Sequence, residues 1–288
     1  MIELPETYVL SEQINKTLVG KTIKSATANA HPHAFAWYTG DPAEYNGKLA
    51  GRKIASSNPG TGYTCGGNTV MLCNAADSGA DMLLVMSTPV KYHAPGEKLP
   101  KSHQLLLEFG DSSHMSCTVQ MWGAMCCYPI GEDGLPKDFN RNECPDPLTD
   151  AFDEAYFDTL WSGVKPNISA KAFLATEQRI PGLGNGVLQD ILFNAGIHPK
   201  RKLQTMSGED KDKLFRSVKT TLTEMRDDGG RDTERDLYGK PGGYQTILSS
   251  KTLSYPCRVC GDGLKREAYL GGNIYFCPTC QPLVEVRS

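Results

Sequence analysis

Long apolar segments are missing from this 288-residue chain. A helix needs about 18 consecutive apolar residues to cross a bilayer, and no such run occurs, so we expect no membrane span. The opening residues 1–6 are acidic and lead into no apolar run, so we expect no secretory signal peptide. The ten cysteines are then expected to be reduced thiols, since disulfides persist mainly in oxidising compartments. The sequence therefore predicts a cytoplasmic protein.

An excess of positive charge is also absent, because the formal net charge is −3. A dedicated nucleic-acid binder usually neutralises phosphates with a basic surface. The charge is uneven, however: residues 1–160 hold 11 Lys/Arg and 19 Asp/Glu, whereas residues 161–288 hold 19 and 14. The C-terminal part, at +5, is therefore the part that can supply phosphate contacts.

Repeats, low-complexity tracts and a P-loop are missing too. The glycine-rich stretch 182–186 lacks a Gly-Lys-Ser/Thr ending, which excludes the phosphate loop of nucleotide hydrolases. The histidines scattered through the first part of the chain lack metal-ligand spacing, and we interpret them as ordinary surface or core residues.

The chain does contain two Cys-x-x-Cys motifs. Sixteen residues, about the length of a β-hairpin, separate the pair Cys257 and Cys260 from the pair Cys277 and Cys280. Four thiolates at this spacing suit one tetrahedral Zn²⁺ ion, and the alternatives are two disulfides or unrelated core cysteines. Four ligands would close the coordination shell, so we expect one structural zinc ion whose binding stabilises the fold.

The hairpin between the two motifs is visible in the sequence. We predict strands over Leu264–Tyr269 and Ile274–Phe276, with the turn at Gly271-Gly272. Lys265 and Arg266 give the hairpin positive charge, which is typical of a device that recognises another molecule, most often nucleic acid.

The first part of the chain predicts one helix followed by a β-domain. Leu10, Ile14 and Leu18 recur at helical spacing, so we expect a helix from Glu6 to about Leu18. Several short candidate strands, separated by turns rich in Gly, Asn and Asp, predict a β-sandwich or β-barrel. The predicted strands are Thr22–Thr27, Lys53–Ser56, Val70–Leu72, Met82–Met86, Gln104–Phe109 and Met115–Met121.

A polar linker, residues 131–147, precedes a change to helical periodicity. We expect Ser169 to cap a helix that runs to Gln178, a second helix over Val187–Asn194, and a capping box formed by Ser207 and Asp210. The stretch Gly182-Leu183-Gly184-Asn185 lies between the first two of these helices. Glycines let backbone amides approach a phosphate closely, although an ordinary helical hairpin turn is the alternative.

Three features in this order resemble the Fpg/Nei family, the formamidopyrimidine-DNA glycosylases and endonuclease VIII. They are Glu3-Leu4-Pro5-Glu6 at the start, the turn from Gln178 through Asn185 with its following helix, and the four-cysteine segment. The resemblance covers nearly the whole chain. It implies an α+β fold with an N-terminal helix and β-sandwich, a helix-two-turns-helix domain and a zinc-finger β-hairpin. The expected divisions are 1–130, the linker 131–147, 148–245 and 250–283.

The resemblance also implies a chemistry. An N-terminal amine attacks C1′ of a damaged nucleotide that has been flipped out of the duplex, the base leaves, and elimination nicks the strand. In this chain the amine belongs to Met1 or Ile2, because Ile2 stands where the family usually has proline. Glu3 matches the family's proton-shuttling acid, and Glu6 is the second acid of the motif.

The same resemblance implies a set of DNA-contacting residues. Asn185 would hold the phosphate beside the lesion. A Met121-Trp122 pair replaces the family's arginine and phenylalanine, and Trp122 would stack or wedge at the gap or instead belong to a strand core. The full expected set is Lys171, Gln178, Gly182, Gly184, Asn185, Lys265, Asn273 and Trp122. Two cations of the family are absent: no lysine occurs in Asn58–Asn68, and Gly272 stands at the position of the finger arginine.

The sequence therefore predicts a monomeric, nucleoid-associated repair enzyme that acts on damaged duplex or abasic-site DNA. It is expected to be a DNA glycosylase, with or without lyase activity. A non-catalytic binder of damaged DNA on the same scaffold is the alternative. A zinc-finger protein-interaction module is a third interpretation, but it leaves the glycine-rich turn unexplained.

Overall fold

A computed structural model describes residues 2–59, 68–74, 80–139, 144–177 and 179–284. The chain divides into two compact units, and each is considered separately. The first unit is Met1–Asn142 with Glu234–Gly242, and the second is Glu143–Thr233 with Gly243–Ser288. The expected domain divisions remain a proposal. Among the described residues, no helix combines the length and apolar character needed to cross a membrane.

The first unit begins with helix α1, Leu4–Thr17. Pro5 lies in its first turn, where a missing N–H costs nothing and a fixed φ favours the helix. Glu3, in extended conformation, is the N-cap residue. Leu10 and Ile14 are buried as predicted, and the helix starts two residues earlier than the apolar periodicity indicated.

Where the structure describes the first unit, nine strands and a short helix, α2 (Tyr45–Leu49), follow α1. A four-stranded antiparallel sheet has the order β1-β7-β8-β6, and a five-stranded sheet has the order β2-β9-β5-β4-β3, in which only the β2–β9 pair is parallel. The strands are β1 Ile23–Ala28, β2 Ala36–Trp37, β3 Arg52–Pro59, β4 Asn68–Asn74, β5 Met82–Met86, β6 Val90–His93, β7 Leu105–Phe109, β8 His114–Cys117 and β9 Gly123–Pro129.

The predicted strand Met115–Met121 was wrong at its C-terminal end. Strand β8 ends at Cys117, because the next backbone N–H groups leave the ladder: Thr118 donates to the Pro89 carbonyl and Val119 to the Gln104 side chain. The following apolar run forms the separate strand β9, which sequence reasoning missed together with β2 and β6.

One hydrophobic core serves both sheets and helix α1, which makes the first unit a β-sandwich with a covering helix. Leu237, from the segment Glu234–Gly242, is fully buried in this core. Its carbonyl accepts from the Tyr92 backbone, and its N–H donates to Gln13 of α1. This segment therefore packs with the first unit, although residues on both sides of it belong to the second.

Among its described residues, the second unit contains four α-helices and the C-terminal hairpin. The helices are α3 Glu154–Ser162, α4 Ala170–Ala175, α5 Val187–Asn194 and α6 Gly208–Asp227. Ser169 caps α4, and Ser207 with Asp210 forms the capping box of α6, so both predicted caps are confirmed. Helix α4 is shorter than expected. It ends where Thr176 turns to an extended conformation (ψ 149°) and Glu177 takes a positive φ of 62°.

The hairpin pairs β10, Lys265–Tyr269, with β11, Gly272–Phe276. Its turn consists of Leu270 and Gly271, both with positive φ, instead of the predicted Gly271-Gly272. Tyr269 pairs with Gly272, so Leu270 and Gly271 are the two residues left for the turn, and a two-residue turn of this hand suits the right-handed twist of paired strands. The predicted α+β fold class, with sandwich, helical domain and four-cysteine hairpin, is confirmed.

Candidate functional site

The expected catalytic end of the chain lies at the start of α1. Ile2 is buried in the core of the first unit, and its backbone N lies 3.4 Å from the Ser87 carbonyl oxygen. Glu3 is half-buried at the N-cap position, and Glu6 is buried in the first turn. Carboxylates are favoured there by the positive end of the helix dipole. Met1 lies outside the described residues.

The glycine-rich turn and the finger hairpin meet within the second unit. The Asn185 side chain donates to the Asn273 carbonyl at 3.0 Å, so two expected DNA contacts, 88 positions apart in sequence, are brought together. Gly182 has φ +74°, a conformation that favours glycine, and Gly182 and Gly184 are both buried. Asn185 and Asn273 are both exposed, and Gln178 is outside the described part of the chain.

Gln189 holds these two segments together, and sequence reasoning missed it. Its side chain is buried, donates to the carbonyls of Asn185 and Asn273 at 2.9 and 3.1 Å, and accepts from the Tyr275 N–H at 3.0 Å. The only available signal was its position one helical turn after Asn185, which gives no indication of a partner 84 residues later.

Lys171 is 3% exposed, and its ammonium donates to the Tyr269 carbonyl at 2.6 Å. Burial lowers the pKa of this amine from its ordinary value. A Cβ added at Gly272 would lie 3.5 Å from the Lys171 Nζ and 3.6 Å from the Asn185 amide carbon. The described contact of Lys171 is thus with the hairpin tip, and a direct DNA contact stays a prediction.

Lys265 is exposed but lies away from this cluster. It pairs with Phe276, whereas Asn273 pairs with Ala268, three residues farther along β10. Three residues of a strand span about 10 Å. The structure therefore does not bring Lys265 together with Asn185 and Asn273.

The four predicted metal ligands do come together. Their sulfur atoms all lie within 4.8 Å of one another, with 3.7 Å between Cys257 and Cys280 and 3.4 Å between Cys260 and Cys277. Tetrahedral Zn²⁺ with Zn–S bonds of about 2.3 Å would set sulfur separations of about 3.8 Å. Burial raises the pKa of the Cys277 and Cys280 thiols, whereas backbone N–H groups of Cys260 and Val259 help lower the pKa of Cys257. The donor set fits a thiolate-bound metal ion.

A buried carboxylate supports the segment that leads into the finger. Both oxygens of Asp190 accept 2.8 Å hydrogen bonds, from the N–H groups of Ile247 and Leu248. Burial raises the pKa of Asp190 to about 6 although these hydrogen bonds oppose the shift. Sequence reasoning missed this role, since Asp190 stands in an otherwise apolar helix with no pattern that points to a distant partner.

Trp122 is half-buried in an open apolar depression of the first unit, and its role in stacking or wedging stays a prediction. The depression, called here the aromatic patch, is lined by Phe35, Trp37, Met121, Trp122, Ala124 and Cys126. Phe35 and Trp37 were missed by sequence reasoning, although their spacing of two residues is typical of one face of a strand.

Known proteins resemble this chain over its whole length. No protein-family model matches it. A formamidopyrimidine-DNA glycosylase of Mycobacteroides abscessus is 30% identical over 302 residues, covering 100% of this chain and 100% of that protein. The chain belongs to the formamidopyrimidine-DNA glycosylase family. The glycosylase of Oceanobacillus iheyensis is also similar, with 27% identity over 98% of each chain.

Solved structures of the formamidopyrimidine-DNA glycosylase family share the fold. The MutM (Fpg) protein of Thermus thermophilus matches with a TM-score of 0.74 at 20% identity, covering 98% of this chain and 100% of that one. Lactococcus lactis Fpg in complex with DNA containing an abasic site matches with a TM-score of 0.73 at 21% identity, over 97% and 99% of the two chains. The resemblance inferred from three motifs is thereby confirmed.

Proposed function

We propose that this chain is a DNA glycosylase of base-excision repair that also cleaves abasic sites. The observation that carries the proposal is the full-length relationship, at 30% identity, to a formamidopyrimidine-DNA glycosylase. The fold it shares with a protein solved on abasic-site DNA supports DNA as the partner. Glu3 and Glu6 at the start of α1 supply the two acids that the chemistry needs.

The proposed reaction begins at the N-terminal amine. Its lone pair forms a bond to C1′ while the C1′–N bond to the damaged base breaks, and the departing base takes up a proton. The sugar ring then opens to an imine. Loss of a C2′ proton and cleavage of the C3′–O bond nick the strand. Glu3 would give and take the protons, a role that typically contributes about 10²–10⁴-fold.

Either Met1 or Ile2 carries the reactive nitrogen. The Ile2 side chain is held in the core, so the chain enters α1 from a fixed position. If Met1 is removed, the amine is the Ile2 nitrogen near the Ser87 carbonyl. If Met1 is retained, the amine lies one residue, about 3.5 Å, farther out. An imine from either primary amine must be protonated before it can act as an electron sink, unlike the iminium formed by proline.

The second unit would grip the DNA backbone. The exposed Asn185 donates its side-chain amide to the backbone carbonyl of Asn273, which is also exposed, and the backbone N–H groups of the glycine-rich turn precede helix α5. Amides and helix N-termini suit a phosphate without adding positive charge. Gly182 and Gly184 would shape this turn, and Lys171 would add positive charge beside it. Gln178 and Lys265 are proposed as further DNA contacts, with Lys265 at a separate point of the hairpin.

We further propose that the four-cysteine cluster holds one structural Zn²⁺ ion. The sulfur separations fit tetrahedral thiolate coordination, and a closed shell leaves no position for a catalytic water. The protein is proposed to act as a cytoplasmic, nucleoid-associated monomer, because its substrate, DNA, lies there. The functional divisions are 1–130, 148–245 and 250–283, joined by the linker 131–147.

Borohydride trapping on DNA with an abasic site, combined with mass spectrometry of the intact N-terminus, tests the proposal. We expect a covalent adduct that maps to Met1 or Ile2 and disappears when the terminus is acetylated. The mass of the terminal peptide decides which residue reacts. A protein that binds the same DNA but forms no adduct would not be an imine-forming lyase.

A non-catalytic binder remains the second candidate, and one observation favours it. The finger tip has the uncharged residues Gly272 and Asn273 where the family has an arginine, and Met121-Trp122 replaces the family's arginine-phenylalanine pair. Release of oxidised bases separates the candidates. Base release without trapping would indicate a glycosylase that activates water through Glu3, whereas tight binding with neither reaction would indicate a binder.

A further inference from the structure

The aromatic patch is a contiguous group of large apolar side chains that are exposed to solvent. Phe35 is 57% exposed, Trp37 61% and Met121 73%, and Trp122 lies beside them. Large exposed apolar groups are ordinary when scattered, but a contiguous group marks a binding surface. No residue lining the patch carries a charge.

The patch is connected to the proposed catalytic end through two short steps. The Ile2 backbone N faces the Ser87 carbonyl at 3.4 Å, and Ser87 exchanges hydrogen bonds of 2.9 and 2.8 Å with Ala124, through its backbone N–H and its hydroxyl. Ala124 lines the patch and is the parallel-strand partner of Trp37. Trp37 is therefore two strand spacings, about 10 Å of sheet, from Ser87, whose carbonyl faces the Ile2 nitrogen.

The chemistry of the patch selects the part of DNA that it can bind. Phosphates require cations or N–H donors. The lining side chains carry no charge, and their N–H donors are the indole N–H groups of the two tryptophans. The faces of nucleobases, in contrast, stack on aromatic rings, and this stacking contributes about 1–3 kcal/mol per base with little dependence on sequence. Such faces are accessible only where bases are unstacked.

We propose that Phe35 and Trp37 form a nucleobase-stacking platform, continuous with Trp122, for unpaired DNA next to the reacting nucleotide. The inference rests on the proposed function. It assigns binding roles to Phe35 and Trp37, and it identifies the preferred substrate class as DNA whose bases near the lesion are unpaired, in a single strand or a bubble. A duplex keeps those faces stacked and so loses this contribution.

Substituting Trp37 tests the platform, because this side chain is exposed and its removal leaves the core intact. The probe is a short single-stranded oligonucleotide that carries a tetrahydrofuran abasic analogue. We expect Trp37→Leu to weaken binding about 10-fold, and Trp37→Phe, which keeps an aromatic face, to stay within about threefold of the wild type. Leu135→Ala, an exposed apolar change elsewhere in the first unit, serves as the control and should leave binding unchanged.

Salt dependence and substrate type distinguish stacking from phosphate binding. Loss of a stacking contact should weaken binding equally at every salt concentration, so the slope of log Kd against log salt stays constant. The Trp37→Leu effect should be larger on the single strand than on a fully paired duplex with the same abasic analogue. A changed slope, or equal losses on both substrates, would overturn the platform.

Two further outcomes separate the competing explanations. If the wild type sediments as a dimer without DNA and Trp37→Leu sediments as a monomer, the patch is a contact between copies and the platform is wrong. If the wild type is trapped on abasic DNA but Trp37→Leu binds as tightly, the platform alone fails. If the wild type neither binds nor reacts with abasic DNA, the proposed function itself fails.

Discussion

The two units differ in how closely they follow the family. In the second unit the glycine-rich turn, the strands of the finger hairpin and the four cysteines match, although Gly272 stands at the position of the finger arginine. Partly buried hydrogen bonds from Gln189 and Lys171 hold the hairpin. In the first unit the sandwich and the two acids are present, but Ile2 replaces proline and Met121-Trp122 replaces the arginine-phenylalanine pair.

The difference shows which features tolerate change. The second unit depends on hydrogen bonds from side chains to backbone carbonyls, such as the 3.0 Å bond from the Asn185 amide to the Asn273 carbonyl, and a displaced partner loses that bond. The groups that would face DNA in the first unit are side chains at the surface, where one type of contact can replace another. The predictions below either separate the roles of the two units or test the contacts within one of them.

The largest effect is expected from the metal site of the second unit. Cys277→Ser removes a fully buried thiolate, and structural zinc sites contribute about 10–16 kcal/mol of apparent binding energy. We expect zinc content to fall from one ion per chain to none, and DNA affinity to fall at least about 100-fold. Metal analysis and fluorescence anisotropy measure both. Cys73→Ser, outside the cluster, is the control, and retention of zinc by Cys277→Ser would contradict the assignment.

Glu3→Gln should slow the reaction without weakening DNA binding, because it removes a proton-transfer group of the first unit and leaves the DNA contacts of the second unit unchanged. We expect excision of oxidised bases to slow about 1,000-fold, the middle of the range for a lost proton-transfer group, with abasic-DNA affinity within about threefold. Single-turnover kinetics and anisotropy provide the comparison. Glu12→Gln, an exposed change on the same helix, should behave as wild type. If Glu3→Gln lost DNA affinity and excision rate by the same factor, catalysis and DNA binding could not be assigned to different units.

Gln189→Ala tests whether the turn and the hairpin depend on one side chain. It leaves the Tyr275 N–H and two carbonyls without this partner, so we expect the free energy of unfolding to fall by about 2–3 kcal/mol and DNA binding to weaken. Urea denaturation measures the change. Gln245→Ala, at an exposed position of the same unit, should change stability by less than about 0.5 kcal/mol. A stable, tightly binding Gln189→Ala would show that the segments are positioned independently.

The smallest effect concerns the pH dependence that Asp190 gives the second unit. The pKa of this acid is raised from 3.8 to about 6, so the folded state binds a proton between these values while the unfolded state does not. Its contribution to stability therefore increases as pH falls. We expect the wild type to gain about 1 kcal/mol relative to Asp190→Asn between pH 7 and pH 5.

Urea denaturation of both proteins at the two pH values measures this difference, and other titrating groups cancel in the comparison. Asp212→Asn, on the exposed part of α6, is the control and should show no such relative gain. A constant difference between wild type and Asp190→Asn would mean that Asp190 keeps its ordinary pKa despite burial.

Local spacing in the amino-acid sequence was enough to predict several features of both units. Two Cys-x-x-Cys pairs define four thiolates that converge, Ser207 and Asp210 define a capping box, and the apolar period of α1 defines its buried face. Each of these depends on residues a few positions apart or on one hairpin, so spacing is sufficient. The family and its fold class followed from three such motifs in order.

Only the folded chain shows which segments, distant in sequence, contact one another. Folding placed Trp37 beside Ala124 through a parallel pairing, inserted Leu237 into the core of the first unit, and set Gln189 between Asn185 and Asn273. It also ended strand β8 at Cys117, although the apolar sequence continues. Local propensity contains no information about a partner many residues away. That choice depends on which packing buries apolar surface and satisfies every buried backbone group at once.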